Sequence, residues 1–344
     1  YLFSKISILF FMSAIQSLLF ILIGNSILEI KGMWFEFWFI MFTTSCFSNL
    51  LGLVISSTFN SAKVIYIVIP LIIIPQLLFS GVIVKFEKLH PSLSTATKVP
   101  WIGNLMVSRW SYEALAVEQA TQNAFQRNFL ELEISKSNSE WKKDYWTQEI
   151  KFQVKNLESK NKNTRLEAAT ILKKEIQLEE NFWSNLKCTK CYWESKGETQ
   201  FDEHKVLTFL NKSKAQYTRY ITKDNKSIEQ KIDKIGKEKY IELEHNYVNN
   251  ALMMIVTNKL EADKLIIDDN QIYRNDNPIY NLPKNVTFLG SHFYAPYKYL
   301  FGKKIKTYHA NVLFIWTMSI FIFALLYFDV FKQILTRLLR LVRK

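Results

Sequence analysis

Residues 52–84 read GLVISSTFNSAKVIYIVIPLIIIPQLLFSGVIV, and residues 101–115 continue with WIGNLMVSRWSYEAL. The first stretch holds two apolar runs joined by the short polar turn STFNSAK, the sequence form of two membrane helices folded against each other. Outward from this hairpin, apolar residues gather at both ends of the chain and nearly all the charge lies between them. A mean hydropathy of −0.03 therefore averages two unlike regions. Such segregation calls for a membrane protein with a large water-exposed insertion.

A hydrocarbon core about 30 Å thick takes roughly 20 apolar helical residues to cross. Four stretches meet that length, at about 6–24, 34–56, 64–84 and 311–328, so the expected fold is an α-helical polytopic membrane protein. Trp34 and Trp38 open the second stretch, where rings prefer the headgroup level. Pro70 and Pro75 interrupt helical hydrogen bonding in the third and should kink it. The tail carries Lys332, Arg337, Arg340, Arg343 and Lys344 with no acid beyond Asp329, which assigns it to the cytosol. Counting back through four crossings leaves Lys5 and the Lys63 turn inside, and residues 29–36 and 85–307 outside. The expected plan is three spans in 1–84, an outer loop and re-entrant helix in 85–120, a mostly helical extracytosolic domain in 121–307, the last span in 308–331 and a basic tail in 332–344. In a bacterium this is a multi-pass inner (plasma) membrane protein with a periplasmic insertion.

The net charge of +13 does not call for nucleic acid. Bases in the insertion alternate with acids, as in KKDYWTQEIKFQVKNLESK at 142–160, and neither zinc-finger spacing nor an RNA-binding aromatic pattern occurs. The tail ILTRLLRLVRK suits anionic membrane lipid instead. An apolar helix begins almost at Tyr1, which is not a methionine, so the sequence reads as a C-terminal fragment. The first apolar run follows a single basic residue and lacks a small-residue cleavage site, and it reads as a retained helix rather than a signal peptide.

GLVISSTFNSA at 52–62, PLIIIPQLLFSGVIV at 70–84 and SRWSYEAL at 108–115, in that order and spacing, resemble the fifth-helix region of G-subfamily (white-type) ABC transporter permeases. DNPIYNLPKNVTFLGSHFYAPYK at 276–298 and NVLFIWTMSIFIFALLYFDVFKQIL at 311–335 are similar, more narrowly, to bacterial members of Bacteroidetes type. The resemblance covers both membrane regions and the edges of the insertion, and no pattern places the insertion's middle, 126–267. It implies a type-two exporter domain in which a nucleotide-binding domain precedes six helices, the four stretches here matching the third to sixth. GxxxxGK[ST] does not occur in this sequence, so ATP and Mg are expected at a nucleotide-binding domain upstream in the same chain or on a separate one, with no cofactor held here. The resemblance further implies a homodimer, an outer gate at Val82 and Ile83, a cavity lined by Leu77 and Ile74, and a re-entrant helix at about 101–119.

Read from the residues, Arg109 and Glu113 stand at i and i+4 and can pair on one helix face. Trp101, Leu105, Met106, Trp110 and Leu115 favour an embedded helix over a surface one carrying an exposed pair. Gln16, Asn49 and Gln76 are the polar groups within the apolar stretches, and each can bridge helices or face a transport path. Gly52, Ser56, Ser57 and Ser61 suit close helix contact first and substrate contact second. No acid or base lies deep in a span, which argues against a proton- or sodium-driven carrier.

Helical periodicity recurs at 164–183 and again at 226–256, where Ile228, Ile232, Ile235, Tyr247, Ala251 and Met254 share spacings of three, four or their sums. Cys188 and Cys191 form CTKC, open to reading as a disulfide, half a zinc site or a redox pair. His204 is a weak fourth ligand, no HExxH or GxSxG occurs, and neither a metal site nor a catalytic residue is expected. Sequons stand at Asn211, Asn225 and Asn285. SHFYAPYK at 291–298 is expected to settle its rings at the lipid headgroups before the last span. Two functions of different class fit: an ATP-driven exporter of a hydrophobic or amphipathic substrate, and a mechanotransmitter or sensor moving its outer domain without passing a solute. A membrane-anchored binding domain fits less well, because four spans exceed what anchoring needs.

Overall fold

The computed structural model describes residues 1–59, 61–86, 89–90, 99–183, 185–195, 198–282 and 288–342, with the side chains of 338–342 outside the description; the sequon at Asn285 and the tail residues Arg343 and Lys344 also lie outside the described residues. In chain order the elements begin with α1 (Leu2–Ile27), α2 (Trp34–Thr58), α3 (Ala62–Leu78), α4 (Trp101–Asn104) and α5 (Val107–Gln122). Next come α6 (Leu130–Trp141), a π-helical turn at Lys142–Trp146, α7 (Thr147–Asn156) and α8 (Lys162–Phe182). A hairpin of β1 (Tyr192–Ser195) and β2 (Glu198–Phe201) precedes α9 (Glu203–Ile235), α10 (Lys237–Tyr247) and α11 (Asn250–Thr257). Two further antiparallel hairpins follow, β3 (Leu265–Asp268) with β4 (Gln271–Arg274) and β5 (Tyr297–Leu300) with β6 (Lys303–Lys306). α12 (Thr307–Tyr327) and α13 (Val330–Val342) end the chain.

The chain divides into two compact units. The first comprises Tyr1–Ala124, Asn246–Asn249 and Pro283–Lys344, and the second Phe125–His245 and Asn250–Leu282. Helical packing therefore returns residues 288–306, expected within the outer domain, to the unit that holds the apolar helices.

In the first unit, α1, α2 and α12 are long and apolar enough to cross a membrane, the only three such helices among the described residues. α2, α5 and α12 bury Ile40, Phe47, Val107, Trp110, Ala114, Tyr308, Val312 and Ile315 against one another. Ile6, Leu50, Val54 and Leu326 close a second cluster between α1, α2 and α12. α3 departs from expectation: it has 17 residues, spans about 25 Å, and ends at Leu78 rather than near Val84. Its end is built by hydrogen bonding. Phe79 N donates to Pro75 O, Ser80 Oγ to Leu77 O at 2.7 Å, and Val82 N to Ser80 Oγ, after which Gly81 turns the chain at a φ of 82°. Both prolines lie inside the helix.

The helix expected at 101–119 is also interrupted. α4 stops at Asn104, Met106 is extended, and α5 starts afresh at Val107 and runs on to Gln122. The indole Nε1 of Trp110 donates to the Asn104 carbonyl at 2.9 Å, occupying one of the acceptors that the end of α4 leaves free.

The second unit is a helical body around an apolar core, with Trp141, Trp146, Ile150, Leu172, Ile176, Phe209, Leu210 and Ile272 among its buried members. Two buried carboxylates sit in that core. Glu175 accepts from Trp146 Nε1 at 2.7 Å and from Ile272 N at 2.9 Å, while Glu179 accepts from Trp183 Nε1, Tyr217 Oη and Lys142 Nζ. α8 is capped by Asn161 and α9 by Asp202, whose side chain accepts from Lys205 N. The continuous periodicity at 226–256 is cut into three helices. Gly236 ends α9 at a φ of 87° with nothing near a would-be Cβ, so conformational freedom and not crowding sets the break. α9 itself reaches back to Glu203 and is about 50 Å long.

Candidate functional site

The α5 register places Arg109 and Glu113 one turn apart, and their side chains meet at 3.4 Å with both fully buried. Burial changes what such a pair needs, because a charge removed from water must be compensated nearby. Three further groups converge on the Glu113 carboxylate. Lys298 Nζ, from β5, donates at 2.6 Å; Asn311 Nδ2, from α12, donates at 2.9 Å; and Tyr294 N donates to the other oxygen at 3.3 Å. Asn311 Nδ2 also reaches the Trp110 carbonyl at 3.0 Å. One carboxylate thus ties together α5, the segment before the last apolar helix, and that helix.

Aromatic faces complete the enclosure. The Arg109 guanidinium lies 3.9 Å from the Trp110 ring centroid and 5.7 Å from that of Phe293, and the Lys298 ammonium lies 4.5 Å from Trp110. Two cations share one anion here. Burial alone raises the Glu113 carboxyl, but Arg109 and Lys298 beside it prevail and hold it below the usual carboxylate range. Burial, reinforced by the like charge of Arg109, brings the Lys298 ammonium down to about 7 against the pull of Glu113. Arg109 Nε and Nη1 and Asn311 Oδ1 have no hydrogen-bond partner among the described residues.

The other residues singled out from sequence fall into two groups. Asn49 and Gln76 bridge helices: Asn49 Nδ2 donates to Ser13 Oγ at 2.7 Å and to Leu9 O, and Gln76 receives Ser108 N at 3.2 Å and Ser108 Oγ on its side-chain oxygen. Gln16 is exposed. Ile74, Leu77, Val82 and Ile83 are each more than half exposed, the last two at 54 % and 63 %, and no described residue of α3 is buried within the chain. Cys188 and Cys191 are disulfide-bonded in the second unit, and their turn is fixed by Cys188 N on Glu180 Oε1 and Asp202 N on Cys191 O.

The segment 291–298 corrects an expectation. Its side chains do not all project to lipid headgroups, since Tyr294, Ala295 and Lys298 are buried against α5. Lys298 and Asn311 are the site residues that sequence reading missed. The available signal was the alternation Tyr297-Lys298-Tyr299 in a short strand, which turns the lysine to the face opposite both tyrosines.

The helical hairpin, the bridging amides and most of α5 lie within the part of the chain that a family comparison recognises. Residues 1–119 match the membrane domain of ABC-2 type transporters. The ABC-2 domain thus covers α1 to α4 and most of α5, including Arg109 and Glu113, whereas Lys298 and Asn311 lie outside the matched residues. With three apolar helices of spanning length, the chain is a multi-pass membrane protein whose residues 1–119 are similar to the ABC-2 transporter membrane domain. No curated protein and no solved structure matches it.

Proposed function

We propose that this chain is the permease part of an ATP-driven exporter of G-subfamily type, moving a hydrophobic or amphipathic substrate outward by alternating access. The ABC-2 match over residues 1–119 is the observation that carries this reading. Four membrane passes are proposed, with α3 as the third. Its 17 residues follow a tight turn after α2, and its largely exposed apolar surface suits a position in a bundle completed by a second copy of the chain. Val82 and Ile83 form the proposed outer gate, with Ile74 and Leu77 facing the path, since apolar side chains close a pathway by excluding water. ATP and Mg belong to a nucleotide-binding domain on this polypeptide or a partner, and the second compact unit lies on the extracytosolic side of a bacterial inner membrane. Hydrolysis drives alternation only if nucleotide stabilises the two states unequally.

Nucleotide turnover of the assembled transporter in lipid nanodiscs tests the proposal. Lipids and hydrophobic drugs are screened for stimulation, and the parent is compared with Val82→Trp plus Ile83→Trp. Stimulated hydrolysis uncoupled from solute movement by the bulky pair is expected. One observation favours a second reading, that of a mechanotransmitter: the insertion builds its own core and buried polar network, more than a loop requires. Turnover indifferent to every solute, yet altered by deleting residues 125–282, would select that reading.

A further inference from the structure

We infer that segment 291–298, which returns the chain to the last apolar helix, is a clamp on the turn after α3, with Phe293 as its positioning residue. A Cβ placed on Gly81 would lie 2.6 Å from Phe293 Cζ and 2.7 Å from its Cε1, so the ring sits directly against the Gly81 backbone. Phe86 meets the same ring edge to face at 4.9 Å and itself comes within 3.0 Å of that Cβ position, so the two rings back each other against Gly81. A residue from the far side of the insertion is thereby wedged into the backbone that presents Val82 and Ile83.

The wedge is held rigidly at its own end. Tyr294, the next residue, is buried with a φ of 63°, a strained conformation for a bulky side chain that persists only when its surroundings fix it. Its backbone N–H is bound by Glu113, its hydroxyl donates to that of Tyr112 at 3.2 Å, and four residues later Lys298 is anchored on the same carboxylate. Phe293 thus stands next to a residue fixed through its backbone and its hydroxyl. The side chains of Val82 and Ile83 meanwhile stay more than half exposed, so the ring restrains their backbone without covering them. Displacement of 291–298 must either release the turn after α3 or carry it along.

The clamp stands on these contacts alone, and its consequence for transport rests on Val82 and Ile83 being the gate. The test measures the rate at which a membrane-impermeant maleimide labels Val82→Cys in a Cys46→Ser background, in lipid nanodiscs. Phe293→Ala is expected to raise that rate at least about fivefold, the factor that one lost ring contact brings to a local opening equilibrium. Phe293→Leu should return it to within about twofold of the parent, because most of the wedge's bulk is kept. Gly81→Ala should raise labelling when Phe293 is present and add little beside Phe293→Ala, the non-additivity expected of touching groups. Labelling of Lys212→Cys, at an exposed position of α9, should not change. An unchanged Val82→Cys rate in Phe293→Ala overturns the clamp, as does an equal rise at Lys212→Cys, which would mean that the ring merely supports the fold. Changed access with unaltered ATP turnover in the assembled transporter leaves the clamp standing and removes the gate reading instead.

Discussion

Replacing Glu113 with glutamine should lower the stability of the first unit more than any surface change in it. The carboxylate receives Arg109 Nη2, Lys298 Nζ, Asn311 Nδ2 and Tyr294 N, all in a site closed to water. Glutamine keeps one acceptor oxygen and sets an N–H₂ donor among four donors, leaving two buried cations without an anion. Removing one partner of a buried ion pair costs about 3–5 kcal/mol. The unit comprises 190 residues. At that size each kcal/mol moves a melting temperature by roughly 2–4 °C, so a fall of roughly 6–20 °C is expected. Cys46 gives a reporter confined to this unit, for it is a buried free thiol on α2 while the other two cysteines form the disulfide. A thiol-reactive fluorogenic dye therefore reads its unfolding directly. Adding Lys298→Met should recover part of the loss, because one cation then leaves with the anion. A Glu113→Gln protein melting within about 2 °C of the parent would refute the account of a compensated buried cluster.

Lys298 should also confer a pH dependence. Its proton is held more weakly in the folded protein, near 7, than in the unfolded chain, near 10.5, so the unfolded state binds more protons between those values and stability rises with pH across that window. Tryptophan-fluorescence melts at either end of the window should show this slope in the parent and its loss in Lys298→Met. Replacing Cys188 and Cys191 together with serine should cost the second unit about 2 kcal/mol, the loop-closure value for so short a ring, measured by urea unfolding; no shift in the midpoint would assign the turn's stability to its hydrogen bonds. α13 carries its bases among apolar residues, and a peptide of residues 330–344 is expected to bind anionic vesicles and to leave them as salt rises, with about 1 kcal/mol lost per basic residue removed. Equal binding to neutral vesicles would show that only its apolar residues count.

What the sequence disclosed was local. Apolar runs of spanning length, the STFNSAK turn and the i, i+4 spacing of Arg109 and Glu113 are properties of neighbouring residues, and α1, α2 and α12 follow them to within a few positions. Helix ends set by single events were less legible: the Ser80 cap and the left-handed Gly81 stop α3 early, extended Met106 divides α4 from α5, and Gly236 interrupts a periodicity that otherwise runs on. The centre of the site was out of reach for a different reason. Lys298 and Asn311 stand 185 and 198 positions from Glu113, and no periodicity relates residues so far apart. Lys298 is moreover one of four lysines within nine residues, and only packing selects the one that turns inward.

The Glu113–Lys298 contact closes a neck. The ring it closes runs over 185 positions of chain. Reducing that separation to roughly 20 alters the closure entropy by about 2 kcal/mol, less than the cost of removing one partner of the buried pair. Residues 125–245 and 250–282 are in this sense an exchangeable cargo: they can be enlarged, shortened or traded for another folded body at little entropic cost to the first unit.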